Sequence, residues 1–133
     1  MVSNAEEREG IAHAEPVIAV VDDDTRVQEA LENLLASVGF EILLFSSAES
    51  FLDAMILPAV LCLITDVKMP GMSGVDLLKV VRSTNIDLPI IIISGHHDSA
   101  DSSYFLDLGA NAFVAKPFDT RILLATINRL TSA

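Results

Sequence analysis

The stretch AVLCLITD, residues 59–66, decides the architecture: an unbroken apolar run, Ala59–Ile64, closed by Thr65 and Asp66. A strand with one solvated face alternates apolar and polar residues. An unbroken run suits a strand covered on both faces, as in a parallel sheet. Four further runs of this texture flank it, Val17–Val21, Ile42–Phe45, Pro89–Ile93 and Ala112–Ala115. The stretches between them have helical spacing. Val27, Leu31, Leu34, Leu35 and Val38 form one stripe, which Gly39 is placed to end. Ser46 with Glu49 offers a capping box for a short second helix. Val75, Leu78 and Val81 mark a third helix beginning near Ser73 or Gly74, and 98–108, ahead of Gly109, a fourth with a weak stripe. Asp119 is placed to cap a fifth helix, with Ile122, Leu123, Ile127 and Leu130 turned inward. Strand then helix, five times over, predicts an α/β doubly wound sandwich with right-handed crossovers and helices on both faces.

The composition agrees. The chain has 133 residues, 51% hydrophobic and 20% charged, so one domain can bury a sizeable core. Mean hydropathy is +0.50. Eight Lys and Arg face nineteen Asp and Glu, a formal net charge of −11. That balance argues against nucleic acid or an anionic membrane as a direct partner, since both need a basic footprint. A single cysteine, Cys62, excludes an intramolecular disulfide framework and reads as a small buried hydrophobe in mid-strand. No apolar run approaches the ~20 residues that span a bilayer. Residues 1–15 carry Glu6, Glu7, Glu9 and Glu15 against Arg8 without apolar periodicity, and read as an acidic, solvated leader rather than a signal peptide. The expectation is a soluble, cytoplasmic protein with one domain over residues 16–133.

The residues that close each run are chemically specific. The first run ends in Asp22, Asp23 and Asp24, the third in Thr65 and Asp66, the fourth in Ser94, and the fifth in Lys116 and Pro117. The second ends at Phe45 with only serines behind it. Open parallel sheets bind ligands beyond the carboxyl ends of their strands, near the point where strand order reverses. With strand order 2-1-3-4-5 the second run lies at an edge, and the other four deliver carboxylates, a hydroxyl and an ammonium to one rim. Crowded carboxylates take up protons or bind a cation. An all-oxygen donor set suits a hard divalent ion, Mg²⁺ best, because it keeps several waters and shares phosphate oxygens. A carboxylate left with a free oxygen beside the ion can act as nucleophile, while the hydroxyl and ammonium meet the oxygens of an incoming phosphoryl group. The chemistry expected is phosphoryl transfer to an aspartate.

These residues resemble the receiver domain of two-component response regulators. The resemblance spans Pro16 to Leu130 and rests on VVDDD at 20–24, ITDVKMPGMSG at 64–74, PIIIISGH at 89–96 and FVAKPF at 113–118, in order. It implies a flavodoxin-like (βα)5 fold with Asp66 as phosphoacceptor. Asp22 and Asp23 form the acidic pair, and the Lys68 backbone carbonyl completes the protein's share of a Mg²⁺ shell. It further implies that Ser94 moves onto the phosphoryl group, that Lys116 pairs with it before a cis bond to Pro117, and that Phe113 swings inward. Lys68 and His96 flank the approach of an attacking water and are expected to tune dephosphorylation. The donor is expected to be a histidine kinase or histidine phosphotransfer protein. The face formed by the fourth helix, fifth strand and fifth helix is expected to meet a protein target, with homodimerisation on phosphorylation left open. No output domain follows the fifth helix, so the expectation is a single-domain regulator acting through protein contacts, or else a piece of a longer protein, and in either case a signalling module and not a turnover enzyme.

Two other functions compete. A haloacid-dehalogenase-type phosphatase also uses an aspartyl nucleophile with Mg²⁺, and Asp22 and Asp24 have the matching offset, but Thr25 falls one residue early and the acidic pair comes first in the chain. A receiver-like interaction domain that is never phosphorylated is disfavoured by the intact Asp66, Lys116 and acidic pair. Taken singly, the residues have blander readings: Asp24 as a helix cap, His96 and His97 as loop residues, Phe113 as a packed strand aromatic.

Overall fold

The computed structural model describes residues 16–85, 87–95 and 99–132. In chain order these form β1 Val17–Val21, α1 Thr25–Ser37, β2 Glu41–Phe45, α2 Ala48–Asp53, a 3-10 turn Leu57–Ala59, β3 Val60–Asp66, α3 Gly74–Thr84, β4 Ile90–Ser94, α4 Ser99–Asp107, β5 Ala112–Ala115 and α5 Thr120–Thr131. The strands make one parallel sheet in the order β2-β1-β3-β4-β5, as the sequence predicts.

The unbroken apolar runs follow from this layering. Successive strand residues point to opposite faces, and both faces are covered. Ala19, Val21, Leu63, Ile90 and Ile92 face one core with Phe51 of α2, Leu77, Leu78 and Val81 of α3, and Phe105 of α4. Ile18, Val20, Cys62, Ile64, Ile91 and Ile93 face the other with Leu31 and Leu35 of α1 and Leu123 and Ile127 of α5. All of β4 is buried, whereas Glu41 and Leu43 of the edge strand β2 are exposed. Among the described residues no helix is long and apolar enough to cross a membrane.

Helix ends depart from the sequence reading in three places. Val38 and Ile122, both expected inward, are exposed: Val38 is the residue that closes α1, and Ile122 lies about 100° around α5 from the buried Leu123. Ser47, not Ser46, caps α2, its hydroxyl accepting from the Ser50 N–H at 3.0 Å, and Glu49 turns away to accept from the Met72 N–H at 2.9 Å. Ser73 and Asp76 make a reciprocal capping box on α3, and Asp119 caps α5 as expected. Gly39 closes the turn after α1 at φ +95°, a conformation that a side chain would oppose.

Candidate functional site

Strand order alone places the carboxyl ends of β1, β3, β4 and β5 side by side. Asp22 follows β1, Asp66 ends β3, Ser94 ends β4 and Lys116 follows β5. The Lys116 Nζ donates to Asp22 Oδ2 at 2.9 Å and to Asp66 Oδ2 at 3.1 Å. Asp22, Asp23 and Asp66 each bring a carboxylate oxygen within 4.8 Å of the others. Ser94 is buried, and its carbonyl accepts from the Lys116 N–H at 2.7 Å, fixing the start of the loop that follows β5. The Lys116–Pro117 bond is cis, as expected.

Each acid is placed by its own local bonds. The run Asp22-Asp23-Asp24 splits three ways. Asp22 is wholly buried, with Oδ1 accepting from the Asp24 N–H at 2.8 Å; Asp23 is exposed; Asp24 caps α1 by accepting from the Arg26 N–H at 2.9 Å. Asp66 Oδ1 accepts from the Val67 N–H at 2.7 Å, and the Thr65 hydroxyl donates to the Asp66 carbonyl at 2.9 Å. Gly74 packs against that same carbonyl so closely that a Cβ there would collide with it, and its N–H donates to the Val67 carbonyl at 2.8 Å.

Burial pushes the Asp22 carboxyl above the usual range, and the Asp24 N–H and Lys116 offset only part of this. Burial also works against the charge on Lys116, but its bonds to Asp22 and Asp66 outweigh it and hold the ammonium above the ordinary lysine value. Three carboxylates against one ammonium leave two formal negative charges at the rim, the charge of one divalent cation. The donors are all oxygen, and Asp23 and the edge of Asp66 reach solvent, so the residues present fit Mg²⁺.

The remaining candidates are less central. Lys68 is exposed in the loop after β3. Phe113 is half-buried and stacks on Phe105 of α4 with ring centroids 5.6 Å apart and planes 7° from parallel. His96 lies outside the described residues. Beside the rim, Val27, Ala30, Pro117 and Phe118 floor an open groove of about 460 Å³ edged by Asp24, Arg26 and Lys116.

Two side chains to which the sequence reading gives no part in the site also hold the rim. Gln28 is buried on α1 and bonds to the chain at the ends of β1 and β2. Its signal was present in the sequence: it stands on the same inward line as Leu31 and Leu35, where a polar residue needs a partner. Glu49 ties α2 to the loop after Asp66, a contact that no local pattern announces.

The receiver domain of response regulators matches residues 18–128. Over 110 residues the chain is 40% identical to the transcriptional regulatory protein FixJ of Bradyrhizobium diazoefficiens, covering 83% of this chain and 54% of that protein. Over 120 residues it is 42% identical to the response regulator protein TmoT of Ectopseudomonas mendocina, covering 90% of this chain and 54% of the relative. The chain thus spans about half the length of the curated relatives it matches. A crystal structure of a response regulator receiver protein from Pseudomonas putida superposes with a TM-score of 0.78 at 33% identity, over 87% of this chain and 98% of that one.

Proposed function

The chain belongs to the response regulator receiver family, and from that premise we propose that Asp66 accepts a phosphoryl group from a phosphohistidine and that the chain acts as a signalling module. The observation that carries this reading is the convergence of the Asp22, Asp23 and Asp66 carboxylates on one point, with Lys116 bonded to two of them.

Asp22, Asp23, Asp66 and the backbone carbonyl of Lys68 are the groups that would hold Mg²⁺. When bound, the ion supplies charge neutralisation on the transferring phosphoryl oxygens. The Asp66 carboxylate attacks phosphorus, an O–P bond forms, the P–N bond to the donor imidazole breaks, and the electron pair leaves with that imidazole. Val67 N–H and Lys116 Nζ already donate to the two Asp66 oxygens, so the nucleophile is oriented before the donor arrives. The Lys116 ammonium meets the negative charge of the transferred group. Ser94, at the end of the adjacent strand, supplies a hydroxyl to the same group, and Phe113 follows it inward, remodelling the face of α4, β5 and α5. Lys68 and His96 tune hydrolysis of the acyl phosphate. The phosphoryl group stays on the chain that catalyses its arrival, so this is a switch and not a turnover enzyme. A histidine kinase or histidine phosphotransfer protein is the donor, acting on a cytoplasmic regulator.

The test is incubation with Mg²⁺ and acetyl phosphate, followed by intact mass measurement of wild type and Asp66→Ala. A Mg²⁺-dependent adduct of one phosphoryl group on wild type alone supports the assignment. An adduct that persists in the variant places the nucleophile elsewhere.

A further inference from the structure

Gln28 is 8% exposed, and the two N–H groups of its side-chain amide are shared among three acceptors: the Asp22 carbonyl at 2.6 Å, the Phe45 carbonyl at 3.2 Å and Ser46 Oγ at 3.2 Å. The Asp22 N–H donates to that same Phe45 carbonyl at 3.0 Å. Asp22 N–H, Phe45 carbonyl, Gln28 amide and Asp22 carbonyl therefore close a ring at the ends of β1 and β2. With Oδ1 bonded to the Asp24 N–H, Asp22 is held at its amide, its carbonyl and its carboxylate at once.

The Asp22 carbonyl lies in the same rigid peptide plane as the Asp23 nitrogen, so fixing that oxygen fixes the rotation from which the Asp23 side chain departs. Asp23 is exposed and lacks the enclosure that orients Asp22, so its backbone must do much of the aiming. The shortest of the three bonds goes to the peptide joining the acidic pair, and the other two anchor it to the corner between β2 and α2.

We propose that Gln28 is a positioning residue for the cation site: by clamping the Asp22 carbonyl to the end of β2, it aims the Asp22–Asp23 pair and sets the affinity of the rim for Mg²⁺. The proposal rests on the reading of the rim as a Mg²⁺ site. It gives the edge strand, which contributes no functional group of its own, a part in the site.

The experiment is calorimetric titration of Mg²⁺ into the full chain, with no phosphodonor present. Wild type is compared with Gln28→Met, Gln28→Asn and the core control Leu35→Val, which lies on the same inward line of α1 but makes no bond to the rim. Far-UV circular dichroism selects the folded variants, and the asparagine variant, which keeps the amide one methylene short of its partners, stands in should the methionine variant not fold. Both Gln28 variants are expected to bind Mg²⁺ about tenfold more weakly, at the lower end of what losing an outer-shell partner costs, while Leu35→Val binds as wild type does. Wild-type affinity in a folded Gln28 variant overturns the proposal, as does equal weakening by Leu35→Val, which would reduce Gln28 to a core residue. A wild-type chain that takes up no Mg²⁺ overturns the reading of the rim itself, a result separable from failure of the Gln28 variants alone.

Discussion

Lys116 and Asp66, fifty residues apart in the chain, meet at 3.1 Å between Nζ and Oδ2, and the same ammonium reaches the buried Asp22 at 2.9 Å. One cation thus joins the ends of β1, β3 and β5.

Replacing that cation should separate stability from metal binding. Lys116→Met leaves the buried Asp22 carboxylate without its ion pair, and a loss of about 1–3 kcal/mol is expected by urea denaturation in chelator. Mg²⁺ should restore more stability to this variant than it adds to wild type, because the displaced positive charge no longer competes with it. The ammonium's value is raised by folding, so its contribution is complete below the ordinary lysine value of 10.5 and lost as pH rises through the higher folded value. The gap between wild type and Lys116→Met should hold through neutral pH and close in strong alkali. A gap unchanged there would detach it from this ammonium.

Gly74→Ala tests a backbone approach. The added methyl would collide with the Asp66 carbonyl, and neither partner is a side chain that can swing aside. The expected cost is about 1–3 kcal/mol, as for overpacking elsewhere. Acetyl phosphate labelling should slow with it, since Asp66 is the residue displaced. Wild-type stability together with wild-type labelling would mean that the loop after β3 relaxes freely.

Glu49→Gln tests the tie from α2. The Met72 N–H holds the Glu49 carboxyl below its ordinary value of 4.5. A lowered carboxyl contributes stability above that ordinary value and loses it as pH falls through the folded one. Wild type should therefore exceed Glu49→Gln in stability at neutral pH, and the difference should shrink below about 4.5. Thermal melts across the acid range measure it, and a pH-independent difference would exclude the carboxylate as its source.

How much of this was readable from the sequence depended on whether the deciding contact was local. The span of β1 and of β5 could be read to the residue, because Pro16 and Asp22 bound the one apolar run and Asn111 and Lys116 the other. The rim residues were legible for the same reason, each standing at the carboxyl end of a run. The cap of α2 was not. Ser46 and Ser47 both stand ahead of the helix; Ser46 Oγ accepts from Gln28, eighteen residues away in the chain, and Ser47 is the residue that caps. Glu49 was likewise diverted to Met72, twenty-three residues on. Ile122 carried a correct period with the wrong phase, since a first-turn residue can sit at either margin of the buried stripe.

The sheet divides the interior into two compartments that share backbone but few side chains, one closed by α2, α3 and α4 and the other by α1 and α5. Substitutions on opposite sides, such as at Leu78 and Leu31, therefore have no common neighbour through which to interfere, and their energetic effects should sum to within about 0.5 kcal/mol. Drift in one compartment can then proceed without retuning the other. Among the described residues the two sides meet at the strand ends, where Lys116 joins Asp22 to Asp66 and Gln28 of α1 bonds to the corner ahead of α2.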